Sequence, residues 1–171
     1  MSSLRIQAED YTSFYDTTPE NRGSENYRND SVDIDQSDDI DDSFAVTWIA
    51  SGEYLTYEVN LAEAGVYEVR ARAATPFGGR EFDISTTDEQ SANFTVGDTG
   101  GWKSWQDITA SSTLTLNAGS NQLTANMGNG GFNFNYFELV RIGDAPVDSS
   151  TPPDNSTPPD NSTPPDNSTP P

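Results

Sequence analysis

The 171-residue chain contains no cysteine and no histidine. Without cysteine there is neither a disulfide framework nor a zinc–thiolate site. Without histidine the chain lacks the commonest general base and the commonest transition-metal ligand. Basic residues are scarce as well: 8 Lys and Arg stand against 28 Asp and Glu, for a formal net charge of −20. Such a chain repels phosphate backbones and anionic lipid surfaces, so neither nucleic acid nor a membrane is an expected partner. The same field disfavours a strongly anionic ligand unless a local basic pocket overrides it. No apolar run approaches the ~20 residues of a membrane span. The opening residues, MSSLRIQAED, lack the basic and apolar regions of a signal peptide, and the chain reads as a piece of a longer protein. No nucleophile elbow, phosphate loop or histidine pair is present. Paired carboxylates could hydrolyse glycosides without histidine, but acidic residues are so abundant here that candidate pairs carry little information.

Aromatic residues make up 11% of the chain, and Gly, Asn and Asp punctuate it roughly every 8 to 12 residues, the spacing of an all-β sandwich or barrel. Leu55, Tyr57, Val59 and Leu61 fall on one face of a strand, as do Tyr67, Val69, Ala71 and Ala73. Phe82 with Ile84, Phe94 with Val96, Leu114 with Leu116, and Leu123 with Ala125 continue the pattern, and a last strand runs over 132–142. Alternation of this kind belongs to antiparallel sheets with one wet face. Residues 4–10 are expected to form an edge strand carrying Gln7 and Glu9. Between Tyr11 and Arg28 the chain is polar and turn-rich. The run 32–43 is expected to be an acidic loop. It is either a solvated surface or a Ca²⁺ site using Asp33 and Asp35, although it lacks the central Gly and terminal Glu of an EF-hand loop.

From Ser150 onward STPPDN repeats to the last residue. Paired prolines favour polyproline II and forbid sheet pairing, giving a semi-rigid spacer of ~70 Å. The expected organisation is therefore a β domain over 1–143 and a disordered Pro-rich linker over 144–171, within a modular, secreted protein. Asn155, Asn161 and Asn167 each open an Asn-Ser-Thr acceptor sequence.

Three segments point to binding. Trp48 ends the apolar run FAVTW and precedes a Ser-Gly turn; Trp102 follows a glycine pair in TGGWKSW; GNGGFNFNYFELV closes the ordered part. A sugar ring presents an apolar C–H face, and stacking it on indole removes that face from water at little conformational cost. Asn133 offers both donor and acceptor to sugar hydroxyls. Trp105, one step further along, is expected in the core.

IQAEDY, FAVTWIASGEYLTYEV, GVYEVRARAA, TGGWKSW, LNAGSNQL and GGFNFNYFELV occur in that order. Together they resemble the family 6 carbohydrate-binding modules over 4–142, in the form appended to marine agarases and related β-glucanases. The resemblance implies a β-sandwich jelly roll with its ligand site in the loops at one edge. It places Trp48, after the tripeptide AVT, and Trp102 on either side of a terminal sugar. Asn133 would bond hydroxyls, and Asp35 would line the same cleft. Gln7 and Glu9 match the pair that holds a structural Ca²⁺, completed by Asn135 and a backbone carbonyl preceding Trp48. Some members carry a second site on the concave sheet face; Tyr54 stands at its platform, but Ser85 replaces its carboxylate, which argues against a working second cleft.

The expected function is a non-catalytic module that targets a covalently linked glycoside hydrolase to a neutral β-linked polysaccharide. Agarose and neoagaro-oligosaccharide chain ends come first, with β-1,3-glucan or xylan as alternatives, and the module acting as a monomer. A calcium-dependent adhesion module and a small hydrolase are the readings of other classes.

Overall fold

The computed structural model describes residues 2–39 and 44–146. The STPPDN linker and the last part of the acidic run lie outside the described residues. The strands are β1 Ser3–Gln7, β2 Ser13–Tyr15, β3 Ile34–Gln36, β4 Phe44–Val46, β5 Tyr54–Leu61 and β6 Gly65–Ala74. They continue with β7 Arg80–Thr86, β8 Ser91–Val96, β9 Gln106–Thr109, β10 Leu114–Leu116, β11 Gly119–Asn126 and β12 Asn133–Gly143. There is no helix among the described residues.

All pairings are antiparallel, and they build two sheets. In the larger, β6 and β12 run side by side; β9 and β10 share the free edge of β6, while β1 and β4 share that of β12, with β3 outermost. The smaller has the order β2-β5-β11-β7-β8. The residues expected to point inward do so: Leu55, Tyr57, Val59 and Leu61 are all buried, facing Val69, Ala71 and Ala73 of the other sheet's core surface. Phe82 stacks on its cross-strand neighbour Phe94 with ring centroids 4.5 Å apart, and on Phe132 at 4.9 Å. Tyr57 meets Phe137 edge-on and donates its hydroxyl to the Ala8 carbonyl at 2.8 Å. A buried phenol needs such a partner. Two sheets packed over aromatic and β-branched inner faces make the expected β-sandwich.

The acidic run and the N-terminal stretch differ from expectation. Ile34–Gln36 is not loop but strand β3, paired with β4, because Ile34 is fully buried and its neighbours then follow the pleat. Ser13–Tyr15 is likewise a strand, on the edge of the smaller sheet. Glu9 lies past the end of β1, in a turn closed by the Asp10 amide donating to the Gln7 carbonyl. Trp105 is half-buried, its Nε1 donating to the Ser37 carbonyl at 2.7 Å.

Candidate functional site

One end of the sandwich gathers the loops that precede β5, follow β6, follow β8 and precede β12. Trp48 sits in the first of them with φ +52°. A bulky residue in the left-handed region costs on the order of 1 kcal/mol, so the surroundings must hold it there. They do so from both sides. The Thr47 amide donates to the Asp33 carbonyl at 2.8 Å, and the Gly131 amide donates to the Ile49 carbonyl at 2.9 Å. Buried Glu53 accepts from the Ala50 amide at 2.8 Å and from the Thr17 hydroxyl at 2.6 Å. Gly130, with φ +63°, passes so close that a Cβ there would lie 2.6 Å from the Ile49 carbonyl oxygen. Only glycine lets the two loops approach in this way. The consequence is an indole left 61% exposed at the rim of the sandwich.

Trp102, 45% exposed, is presented by a loop that Thr99 anchors to Thr75 through reciprocal bonds of 2.9 Å. Asn133, at the start of β12, donates its Nδ2 to the Trp102 carbonyl at 2.7 Å. Its Oδ1 has no hydrogen-bond donor among the described residues and remains an acceptor. Trp48, Trp102, Asn133 and Asp35 thus line one cleft of about 260 Å³, together with Thr47 and Lys103. The Asp35 carboxylate accepts from the Ser24 amide at 2.6 Å and the Thr47 hydroxyl at 3.0 Å. Burial alone would raise its pKa; these hydrogen bonds and the nearby Lys103 charge outweigh that and lower it. It therefore stays an ionised acceptor. Lys103 is itself paired with Asp38. Two ring faces, an amide, a carboxylate and an ammonium group suit a ligand with apolar faces and hydroxyl edges. Nothing in the sequence marks Thr47 and Lys103 for the cleft except that each adjoins one of the two tryptophans. Hollows of about 190 and 350 Å³ at the opposite pole are not lined by any exposed aromatic ring.

Away from this cleft, the backbone of Asn135 meets the turn that carries Gln7 and Glu9. Asn135 is the bulged residue between Phe134 and Tyr136 of β12, and its carbonyl accepts from the Ala8 amide at 2.9 Å. The bulge turns its fully buried side chain toward Asp39, which accepts from Asn135 Nδ2 at 3.0 Å and pairs with Arg72. Two buried oxygens here, Gln7 Oε1 and Glu9 Oε2, lack a hydrogen-bond partner among the described residues. Burial of Glu9 pushes its pKa up to about 7. An orphaned amide oxygen and an orphaned oxygen of a carboxylate whose pKa is raised fit a hard divalent cation such as Ca²⁺. Asp33 and Asp35 do not form a comparable site. Asp33 accepts from the Arg22 amide, Asp35 belongs to the cleft, and no group of three acidic, His or Cys side chains able to hold a metal occurs among the described residues.

On the exposed face of the smaller sheet, Tyr54 stacks on Tyr15 with ring centroids 5.9 Å apart. In the same row Asn126 donates to Asp83 at 2.8 Å and to Ser85 at 3.0 Å. The face therefore does carry a carboxylate, supplied by Asp83 rather than by position 85.

A sequence model described as carbohydrate binding module (family 35) matches residues 28–139. A search of curated proteins returned no match. Among solved structures, the C-terminal family 6 module of the marine laminarinase LamC from Zobellia galactanivorans aligns with a TM-score of 0.62 and 24% identity, covering 82% of this chain and all of that one. The family 6 module of Cellvibrio mixtus lichenase 5A, solved with cellotriose, aligns at 0.59 and 25% identity over 81% of this chain and 97% of its own. The Podospora anserina GH26-CBM35 β-(1,4)-mannanase aligns at 0.57 and 16% identity, over 85% of this chain and 29% of that one. These structures share the sandwich fold that the family 6 resemblance implied. The chain belongs to the non-catalytic carbohydrate-binding modules, by its sequence to family 35 and by its fold alongside the solved family 6 modules.

Proposed function

We propose that the module grips the terminal sugar of a neutral β-linked polysaccharide between Trp48 and Trp102, and that agarose or neoagaro-oligosaccharide ends are its first-choice ligand. β-1,3-Glucan and xylan stand behind. The observation that carries the reading is the pair of exposed indoles lining one cleft whose remaining walls are polar. In it Asn133 Oδ1 and ionised Asp35 accept from sugar hydroxyls while the rings cover the apolar faces. A protein surface seldom leaves two tryptophans this open without a partner for them. Affinity is modest, in the micromolar to millimolar range, because two stacks and a few hydrogen bonds must offset the ordering of the sugar.

Gln7, Glu9 and Asn135 would hold a structural Ca²⁺, which supplies charge to the orphaned oxygens and fixes the turn after β1 to the bulge of β12. The parent protein is a secreted one in which this module directs a covalently linked glycoside hydrolase to its substrate. Isothermal titration against neoagaro-, laminari-, xylo- and cello-oligosaccharides, with Ca²⁺ present, tests the reading. Binding of one class whose affinity stops rising beyond two or three sugars supports an end-gripping cleft. If folded Trp48→Ala and Trp102→Ala variants bind as the parent does, the cleft is not the site.

A further inference from the structure

In a molecule this acidic, basic side chains find carboxylates easily. Arg5, Arg28, Arg70, Arg72, Lys103 and Arg141 each have one within ion-pair distance. Arg22 lies in the field of Asp16 and Asp33. Arg80 has no carboxylate partner among the described residues, and its Nε is buried without an acceptor. A guanidinium donor withdrawn from water and left unpaired is a standing cost to the fold.

Its position is specific. The guanidinium lies over the Phe77 ring, 5.1 Å from the centroid. Phe77 is 47% exposed and meets Trp102 edge-on at 5.5 Å and 83°. On its other side the Arg80 head packs against Gly131, where a Cβ would come within 3.3 Å of Nη1. Gly131 is two residues from Asn133, so Arg80 is wedged between the loop that presents Phe77 and the strand that supplies the cleft amide. Trp102, Phe77 and Arg80 form a continuous ridge leading out of the cleft: indole, then phenyl, then cation.

We propose that Phe77 and Arg80 form a subsite flanking the Trp48–Trp102 cleft, and that it accepts an anionic substituent, a sulfate ester or a carboxylate, on the sugar next to the terminal one. This rests on the cleft being the sugar site. An exposed phenyl ring offers the second sugar an apolar surface, and the guanidinium fork matches the paired oxygens of a sulfate or carboxylate. The net charge of −20 repels free anions, so a charged group is welcome only where the neutral chain has already delivered it beside Arg80.

The test is titration calorimetry with two matched pairs. One is neoagarotetraose with and without a sulfate ester on the penultimate sugar; the other is xylotetraose with and without a glucuronic acid branch there. The parent should bind at least one acidic member roughly tenfold more tightly than its neutral partner. Whichever pair shows it identifies the substituent. Raising NaCl from 0.05 to 0.5 M should shrink the ratio, a readout that needs no variant. Arg80→Gln should bring the ratio to about one, and Arg80→Lys should retain part of it. Equal binding of both members of both pairs by the parent, or a ratio that survives folded R80Q, overturns the proposal. If no member binds, or if Trp102→Ala changes nothing, the cleft reading itself fails and this one falls with it.

Discussion

Asn133 Nδ2 donates to the Trp102 carbonyl at 2.7 Å, so one side chain both lines the cleft and holds the loop that carries one of its walls. Asn133→Ala should therefore weaken sugar binding more than one lost hydroxyl contact explains, by roughly 2 kcal/mol or more, since the carbonyl is left unpaired and the indole unmoored. Asn133→Asp keeps the volume but sets a carboxylate against a carbonyl, and should do no better. Calorimetry alongside the thermal midpoint separates the two contributions.

Trp48 should show binding and stability pulling apart. Trp48→Gly removes a stacking surface and relieves a left-handed backbone at φ +52°. Expected are a loss of about 1–3 kcal/mol in binding and a stability unchanged or raised by up to ~1 kcal/mol. A destabilised Trp48→Gly would mean that the ring is part of the core.

Gly130→Ala should cost stability and binding together. Its Cβ would collide with the Ile49 carbonyl at 2.6 Å, in a conformation of φ +63° that disfavours a side chain. We expect a loss of roughly 2 kcal/mol or more in urea unfolding. Binding should fall as well, because Ile49 helps seat Trp48.

Glu9 makes the stability depend on pH and offers a test of the proposed Ca²⁺ site. Its folded-state pKa, about 7, lies above the ordinary 4.5 because burial penalises the charge. Without metal, Glu9 contributes fully below about pH 4.5 and its contribution is lost as pH rises through 7, a change of about 3 kcal/mol. With Ca²⁺ the carboxylate must ionise, so metal affinity should rise from pH 6 to pH 8. Thermal unfolding with EDTA and with Ca²⁺ should therefore diverge as pH increases. Curves that run parallel would remove Glu9 from any metal site.

Tyr54→Ala tests whether the other exposed aromatic face contributes. If the Trp48–Trp102 cleft acts alone, affinity and a one-to-one stoichiometry should both persist. A drop to one site from two would assign the Tyr15–Tyr54 stack and Asp83 a binding role of their own.

The long strands were readable because their inward residues repeat every second position over enough length to be seen. Leu55 to Leu61 and Tyr67 to Ala73 are examples, and the core they form is the one expected. Trp48, Trp102 and Asn133 could be picked out because each sits in a short motif with glycine or polar neighbours, whereas Asp35 is placed beside them only by the family resemblance. Three-residue strands such as β2 and β3 contain too few positions for a period, and their pairing is decided by partners distant in sequence. The acidic run hid Ile34, whose complete burial organises its neighbours. Nothing in the chemistry of Lys103 and Thr47 distinguishes them in the sequence; only the cleft does. The Tyr15–Tyr54 stack joins residues from separate strands and leaves no local trace.

Strand β12 begins at Asn133, in the cleft, and ends at Gly143, at the far pole, where the Arg141 amide also ties down Ser2. Eleven residues of extended chain put roughly 35 Å between grip and tether. On the proposed reading the module is a grapnel, with the cleft as hook and the far pole as rope eye at opposite tips of one rigid shank. Anything fastened at the eye would swing clear of a sugar in the cleft, and a pull from that end would load the sheet lengthwise instead of prising the hook open.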